Sequence, residues 1–419
     1  MKRLFRLSLL SKLIVALYAA ISAGYLWLAT IYYFRGSSFR GDFRAFYTGW
    51  TIVREGMGAK IYDYALQLQY QHQILDNLNL KGDFLAFYYP PHVVLLFSPL
   101  SSLSLKAAYA TWSFGQLLLL TWLIIFIYRQ TKIEDWMRRE QFLLLSAIAA
   151  MPSLYITLVL GTFSLLMLTA LIGFTFALKR GREVEAALWL ILGSIKPQVM
   201  VLPGIALLFS RRWKVLGIGF AIMIGIICTS SLELGWNVWI DFFGAVAKAY
   251  EEGNSLGVNP KAMCNLKGML SVLLGPQPIT LVNMMSNIAF GLACVITAVI
   301  WNRLGYEDAI FDLLMALTVI LGTLFGLHVN PQDGLFLVVP ALLFYNYLRQ
   351  GYRHLRLYAV FVLSCPFVFH VYFFFLKGSF GIQAPVVAMV VLGLWIGTEL
   401  VIWWRNSKLC LKGYDEISG

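Results

Sequence analysis

Apolar residues in this chain come in long runs bounded by Lys and Arg, not interleaved with polar positions at amphipathic spacing. About 20 consecutive apolar residues are enough for an α-helix to cross the hydrocarbon of a bilayer. The pattern predicts twelve spans, at roughly 9–33, 106–128, 141–160, 162–178, 184–195, 197–210, 213–231, 279–301, 309–328, 334–348, 356–376 and 383–404. The expected fold class is an all-α polytopic membrane protein with one integral membrane domain over 1–419. Its longer connecting segments are 34–105 and 232–278.

Basic residues orient these spans. Arg129, Lys132, Arg138 and Arg139, then Lys179, Arg180 and Arg182, then Arg211, Arg212 and Lys214 fall in short connections on one side. Arg349, Arg353 and Arg356, with Arg405 and Lys408, continue the pattern. Short basic connections are cytoplasmic in membrane proteins. This predicts a multi-pass protein of the inner (plasma) membrane with both termini cytoplasmic and both long segments extracytoplasmic. The first run follows Lys2, Arg3, Arg6 and Lys12, with no small-residue cleavage site after it, so an uncleaved first span is expected.

Residues 184–210 are apolar but broken by Lys196-Pro197-Gln198, and Arg flanks both ends. A single kinked crossing would reverse the orientation of every later basic cluster. A hairpin of two short helices with its tip at Lys196 keeps the orientation consistent. Each arm would be roughly 20 Å long, short of the ~30 Å hydrocarbon core. The tip is therefore expected below the outer surface, where backbone must be covered by protein or a wet cavity.

In the first long segment, Asp42 is followed by Phe43, Phe46, Tyr47, Trp50 and Val53 at helical spacing. This predicts an amphipathic helix lying on the membrane face, with Asp42 a natural N-cap. A second helix is expected over 64–78, followed by Phe87-Tyr88-Tyr89-Pro90-Pro91-His92.

Composition agrees with a membrane class: 59% hydrophobic and 13% charged residues, against about 25% charged in soluble chains. The net charge of +12 does not indicate nucleic-acid binding, because the basic residues sit in connections and form no stripe with interleaved aromatics. The cysteines, Cys228, Cys264, Cys294, Cys365 and Cys410, form no C-x-x-C pair and support neither a disulfide framework nor a zinc site. No dinucleotide or P-loop motif is present. Asp42, Asp83 and Asp333 lack metal-ligand spacing, so neither a metal nor a cofactor is expected.

The remaining polar chemistry gathers on the extracytoplasmic side: Arg40, Asp42, Arg44, Tyr88, His92, Lys196, Gln198, Lys267, His328, Asn330, Gln332 and Asp333. A carboxylate after the first span can act as general base. A lysine at an intramembrane tip points to function, here phosphate binding supported by Gln198, or else to a lysine snorkelling to the headgroups. His328-Val329-Asn330-Pro331-Gln332-Asp333-Gly334 carries turn chemistry, and His328 could also donate to a phosphate or an acceptor hydroxyl.

Asp42-Phe43-x-x-x-Tyr47, Gly56, Tyr62, Tyr89-Pro90-Pro91 and Lys196-Pro197-Gln198 together resemble glycosyltransferase family 87, of the GT-C class of polytopic membrane enzymes. The resemblance implies a hexosyltransferase, inverting, that takes mannose by family default from a polyprenyl-phosphate-sugar donor. Transfer would be to a lipid or glycan acceptor on the extracytoplasmic side, without a metal. It implies Asp42 as catalytic base. Lys196, Gln198, His328, Arg40, Arg44 and Lys267 are the candidates for the donor phosphate, and Tyr47, Tyr88, Tyr89, His92, Asn330 and Asp333 for lining the substrate. The rival is a lipid or sugar transporter or flippase without bond chemistry. Transporters usually show paired halves with polar sites near the bilayer midplane, and no such pairing is visible here. A membrane acyltransferase or polysaccharide polymerase would use the same segments.

Overall fold

A computed structural model describes residues 9–34, 41–76, 83–130, 138–252, 256, 258–275, 279–305, 308–351, 355–372 and 383–418. Arg40 lies outside these. In chain order the α-helices are α1 (Leu9–Phe34), α2 (Asp42–Arg54), α3 (Tyr64–Asp76), α4 (Pro91–Phe97), α5 (Leu105–Gln130), α6 (Arg138–Ala149), α7 (Pro152–Leu160), α8 (Ser164–Lys179) and α9 (Glu183–Gly193). They continue with α10 (Pro197–Phe209), α11 (Trp213–Leu234), α12 (Val238–Glu252), α13 (Leu266–Leu273), α14 (Ile279–Leu304), α15 (Phe311–Phe325), α16 (Val338–Gly351), α17 (Leu355–Val371) and α18 (Ala384–Ser418). No strand occurs among the described residues.

Among the described residues six helices are long and apolar enough to cross a membrane, and α6 with α7, bent by 43°, makes a seventh if the pair is one span. Twelve spans were expected; the other predicted runs form shorter helices. The bend has a local cause, because Pro152 opens α7 and removes a backbone donor from any continuous helix there. The long helices α1, α5, α11, α14 and α18 carry large exposed apolar side chains, among them Trp27, Phe114, Phe220, Leu292 and Leu394. So much outward-facing hydrocarbon requires an apolar surrounding such as lipid. By contrast α8 and α15 are buried along most of their length and form the centre of the main core.

The hairpin at 184–210 is present. α9 has 11 residues and α10 has 13, roughly 16 and 20 Å at 1.5 Å per residue. Lys196 sits at the tip, and Pro197 opens α10, where a missing N–H costs nothing. α9 lies close against α8 at Gly173. A Cβ there would fall 2.4 Å from the Trp189 ring.

α2 corrects the expectation of a helix resting on the membrane face. Ten of its residues are buried, Arg44, Thr48, Gly49 and Ile52 as well as the aromatics. Phe43, Phe46 and Trp50 pack edge-on or tilted against Tyr109, Phe163, Trp112 and Phe97. The helix is a core element of a cap built with α3, α4 and the segment 83–90. Two buried glutamines fasten that segment: Gln71 bonds the backbone of Leu85, and Gln67 bonds that of Phe87 and Ile61. α7 ends at Gly161 with φ +67, a left-handed conformation that glycine adopts without strain. A Cβ on Gly161 would stand 2.9 Å from the Cβ of Phe43.

Candidate functional site

The site is organised by one turn. After α15, residues Pro331–Leu337 form a 3-10 turn capped at Asn330. The Asn330 side chain accepts the backbone N–H of Asp333. The Asp333 Oδ2 accepts the backbone N–H of Asn330 at 3.0 Å. This reciprocal box satisfies two backbone donors that a buried turn would otherwise leave unbonded.

Asp333 is almost fully buried and its carboxylate has further partners. Lys196 Nζ reaches Oδ1 and Oδ2 at 2.6 and 2.7 Å, and Ser164 Oγ donates to Oδ1 at 2.7 Å. Lys196 is buried too. A buried charge needs such a partner: deleting one member of a buried pair costs about 3–5 kcal/mol. Lys196 is thus not a snorkelling lysine, nor an uncompensated cation waiting for phosphate. Its charge is matched by a carboxylate 137 residues further along the chain.

Asp42 is the first residue of α2, and the N-cap is Gly41, whose backbone is extended. This corrects the N-cap reading. The carboxylate makes no capping bond; Gln332 Nε2 donates to its Oδ2 at 3.3 Å. Asp42 keeps partial solvent access but is surrounded by protein. Burial raises its pKa to about 6, Lys196 opposes the rise, Asp333 adds to it, and Arg44 opposes it. A carboxyl poised near 6 is an efficient base close to neutral pH.

His328 lies just before the turn. Its Nε2 stands 3.2 Å from Asn330 Nδ2, and because the Asn330 oxygen serves the capping box, the amide nitrogen is the donor. That assigns the imidazole proton to Nδ1. Burial, with Lys196 and Lys267, lowers the His328 pKa to about 4, so the ring is a neutral hydrogen-bond donor at pH 7. It lines a small pocket with Gln198.

Tyr88 meets the His328 ring edge-on at 6.3 Å and stacks with Tyr89 at 6.2 Å. Burial and the neighbouring Asp42 hold both hydroxyls protonated.

Lys267, on α13, is buried with its ammonium 3.7 Å from the Tyr250 ring centroid. Among the described residues no carboxylate lies within ion-pairing distance of it. The aromatic face supplies a counter-field there, a weaker one than a carboxylate would. Burial lowers its pKa to about 8. The α13 segment is stitched to the His328 turn, because Asn265 Nδ2 donates to the Gly326 carbonyl at 2.5 Å and the Cys264 N–H to Val329 at 2.8 Å. His328 consequently feels the charges of both Lys196 and Lys267.

Three other expected residues have structural partners. Arg44 is buried and donates to the Asp83 carbonyl. The Tyr47 hydroxyl donates to the Leu103 carbonyl at 2.8 Å, which fixes it in the cap and away from a lining role. His92 Nε2 lies 3.2 Å from Ser194 Oγ and its ring stacks on Trp239, while Nδ1 has no partner among the described residues. His92 thus supports the hairpin two residues before Lys196. Sequence reasoning gave no role to Ser164 or Gln332. Ser164 offered only a serine at the start of a span; Gln332 at least stood beside Asp333.

Two apolar cavities lie inside the helical bundle. They share Ile127, Leu144, Ile148 and Val338. Leu165 and Leu335, which line one of them, neighbour Ser164 and Asp333 in sequence. The other extends between α6, α16, α17 and α18.

No curated protein and no solved structure matches the chain. The sequence profile of glycosyltransferase family 87 matches residues 87–369. The matched region contains Lys196, Lys267, His328 and Asp333; Asp42 precedes it. With this match, the chain belongs to glycosyltransferase family 87, a GT-C class family.

Proposed function

We propose that the protein moves a hexose, mannose by family default, from a polyprenyl-phosphate-sugar donor to a lipid or glycan acceptor at the extracytoplasmic boundary, with inversion. The observation that carries this reading is the Asp42 carboxylate, held by Gln332 at 3.3 Å, in one cluster with the Tyr88 and His328 rings and the buried Lys267, which has no carboxylate partner among the described residues. Asp42 accepts the proton of the acceptor hydroxyl as that oxygen attacks the anomeric carbon. The bond from that carbon to the phosphate oxygen breaks, and polyprenyl phosphate leaves with the electron pair.

The departing phosphate gains charge, so donors fixed around it lower the barrier. Lys267 and the His328 Nδ1–H are suited to that task, with Gln198 beside His328. Lys196 contributes through its pair with Asp333. Arg44, engaged with Asp83, contributes its field. Tyr88 and Tyr89 offer a ring face for the sugar, with Asn330 holding His328. The apolar cavity lined by Leu165 and Leu335, close in sequence to Ser164 and Asp333, is suited to a lipid chain.

The test is purified protein in liposomes with radiolabelled polyprenyl-phosphate hexoses and candidate lipid acceptors. Label transfer by the unaltered chain, and not by Asp42→Asn, is expected. Movement of intact labelled lipid across the bilayer with no bond broken would replace the enzyme with a flippase.

A further inference from the structure

The reaction above needs Asp42 aimed at a hydroxyl and ionised, and α2 alone secures neither. Asp42 opens the helix, makes no capping bond there, and among the described residues has one side-chain hydrogen-bond partner, Gln332. Gln332 is buried. It sits in the 3-10 turn whose first residues are locked by the Asn330–Asp333 box. The box residue Asp333 is pinned in turn by the hairpin tip through Lys196 and by the start of α8 through Ser164. Three distant parts of the chain therefore converge on one seven-residue turn, and that turn presents a single amide to the carboxylate.

We propose that Gln332 is the positioning residue of Asp42, held in register by a Lys196–Asp333–Ser164 anchor, and that Lys196 serves this anchor more than the donor phosphate. The inference rests on Asp42 being the base.

The chemistry of each member fits. An amide donates a hydrogen bond without adding charge, so it can orient a carboxylate while leaving it basic. A lysine or arginine at that position would orient it too, but would depress its pKa. Asp333 brings a second negative charge close to Asp42. Left unpaired, it would favour the protonated base, as paired carboxylates do. Lys196 offsets that charge within the anchor. The groups whose charge reaches Asp42 are Lys196 on the tip, Asp333 on the turn and Arg44 on its own helix; Tyr88 and Tyr89 face it from the cap with protonated hydroxyls.

The experiment uses membranes containing the full chain and the polyprenyl-phosphate hexose that it consumes. For Gln332→Leu, kcat is expected to fall roughly 10–100-fold, the loss typical of a misplaced catalytic group, with donor KM within about twofold. An unchanged kcat beside an inactive Asp42→Asn would overturn the positioning role and leave the base intact. An active Asp42→Asn would remove the base itself, and this inference with it. Gln332→Glu keeps the shape and places a carboxylate beside Asp42. Its pH–kcat profile is expected to shift its acid limb upward by about one unit or more. An unshifted limb would overturn the contact even if the leucine variant failed to fold. Gln332→Asn, which retains the amide on a shorter arm, should recover part of the kcat lost in the leucine variant.

Discussion

At the end of α8 far from Ser164, Lys179 reaches Asp312 at 2.6 Å, the same separation that Lys196 keeps from Asp333. The helix has 16 residues, so the two pairs lie roughly 24 Å apart along it. The contacts are alike and the surroundings are not. Lys179 is about one-third exposed (36%) although Asp312 is buried, and the pair closes the start of α15 against the end of α8. Lys196 is buried (6%), and its aspartate also accepts from Ser164 and from the Asn330 backbone and stands beside Gln332. A pair with one member open to water is partly screened and leaves its lysine free to move; one buried on both sides and saturated fixes a geometry. The same two residue types act as a clasp at one end of the bundle and as the keystone of a polar cluster at the other.

The largest difference between the ends is expected from the carboxylate that only one of them serves. Asp42→Asn should lower transfer by 10²–10⁴-fold, the usual worth of a general base, while Asp312→Asn should leave kcat within a few-fold; steady-state rates on membranes decide it. Next comes the pair itself. Lys196→Met should destabilise the protein by about 3–5 kcal/mol by leaving Asp333 unpaired. The double change Lys196→Met with Asp333→Leu should regain thermal stability without regaining activity, because the Asn330 box is lost. Equal recovery of both would reduce the keystone to a second clasp.

A smaller effect separates the groups by pH. With Asp42 as the proposed base, the carboxylate must be ionised, so kcat/KM should rise as pH climbs through about 6, where Asp42 loses its proton. Lys267 must stay charged, so the profile should fall above about 8. Lys267→Met should remove the alkaline limb and keep the acid one. The smallest change in rate is expected from exchanging the far pair, Lys179→Asp with Asp312→Lys. Turnover should stay close to that of the unaltered chain, while the melting temperature should fall because the swap places a lysine at the buried position 312.

The sequence carried the hairpin because Lys196-Pro197 breaks an apolar run between two Arg clusters, and such a break has few membrane solutions. Bilayer thickness constrains span length but not how many runs reach full length, which is why α8, α10 and α16 turned out shorter than crossing helices. The burial of α2 was hidden by Arg44. Its charge suggested a wet face, yet it is inside, held by the Asp83 carbonyl. Of the cluster, Asp42, Lys196, His328 and Asp333 were recognisable as polar residues with no apolar reason to be there. Their pairing was not, since nothing local links position 196 to 333. Ser164 could not be found, because one hydroxyl at a helix start is common in any chain.

Gly161 sets the thickness of the joint between α7 and α2. Its hydrogen faces Phe43, the residue beside Asp42, across a gap with no room for a methyl group. The position of the carboxylate proposed as base is thus gauged from behind by an atom that is missing, on a helix outside the polar cluster. A lineage could lose the reaction by adding a single carbon there while every polar residue of the cluster stayed in place.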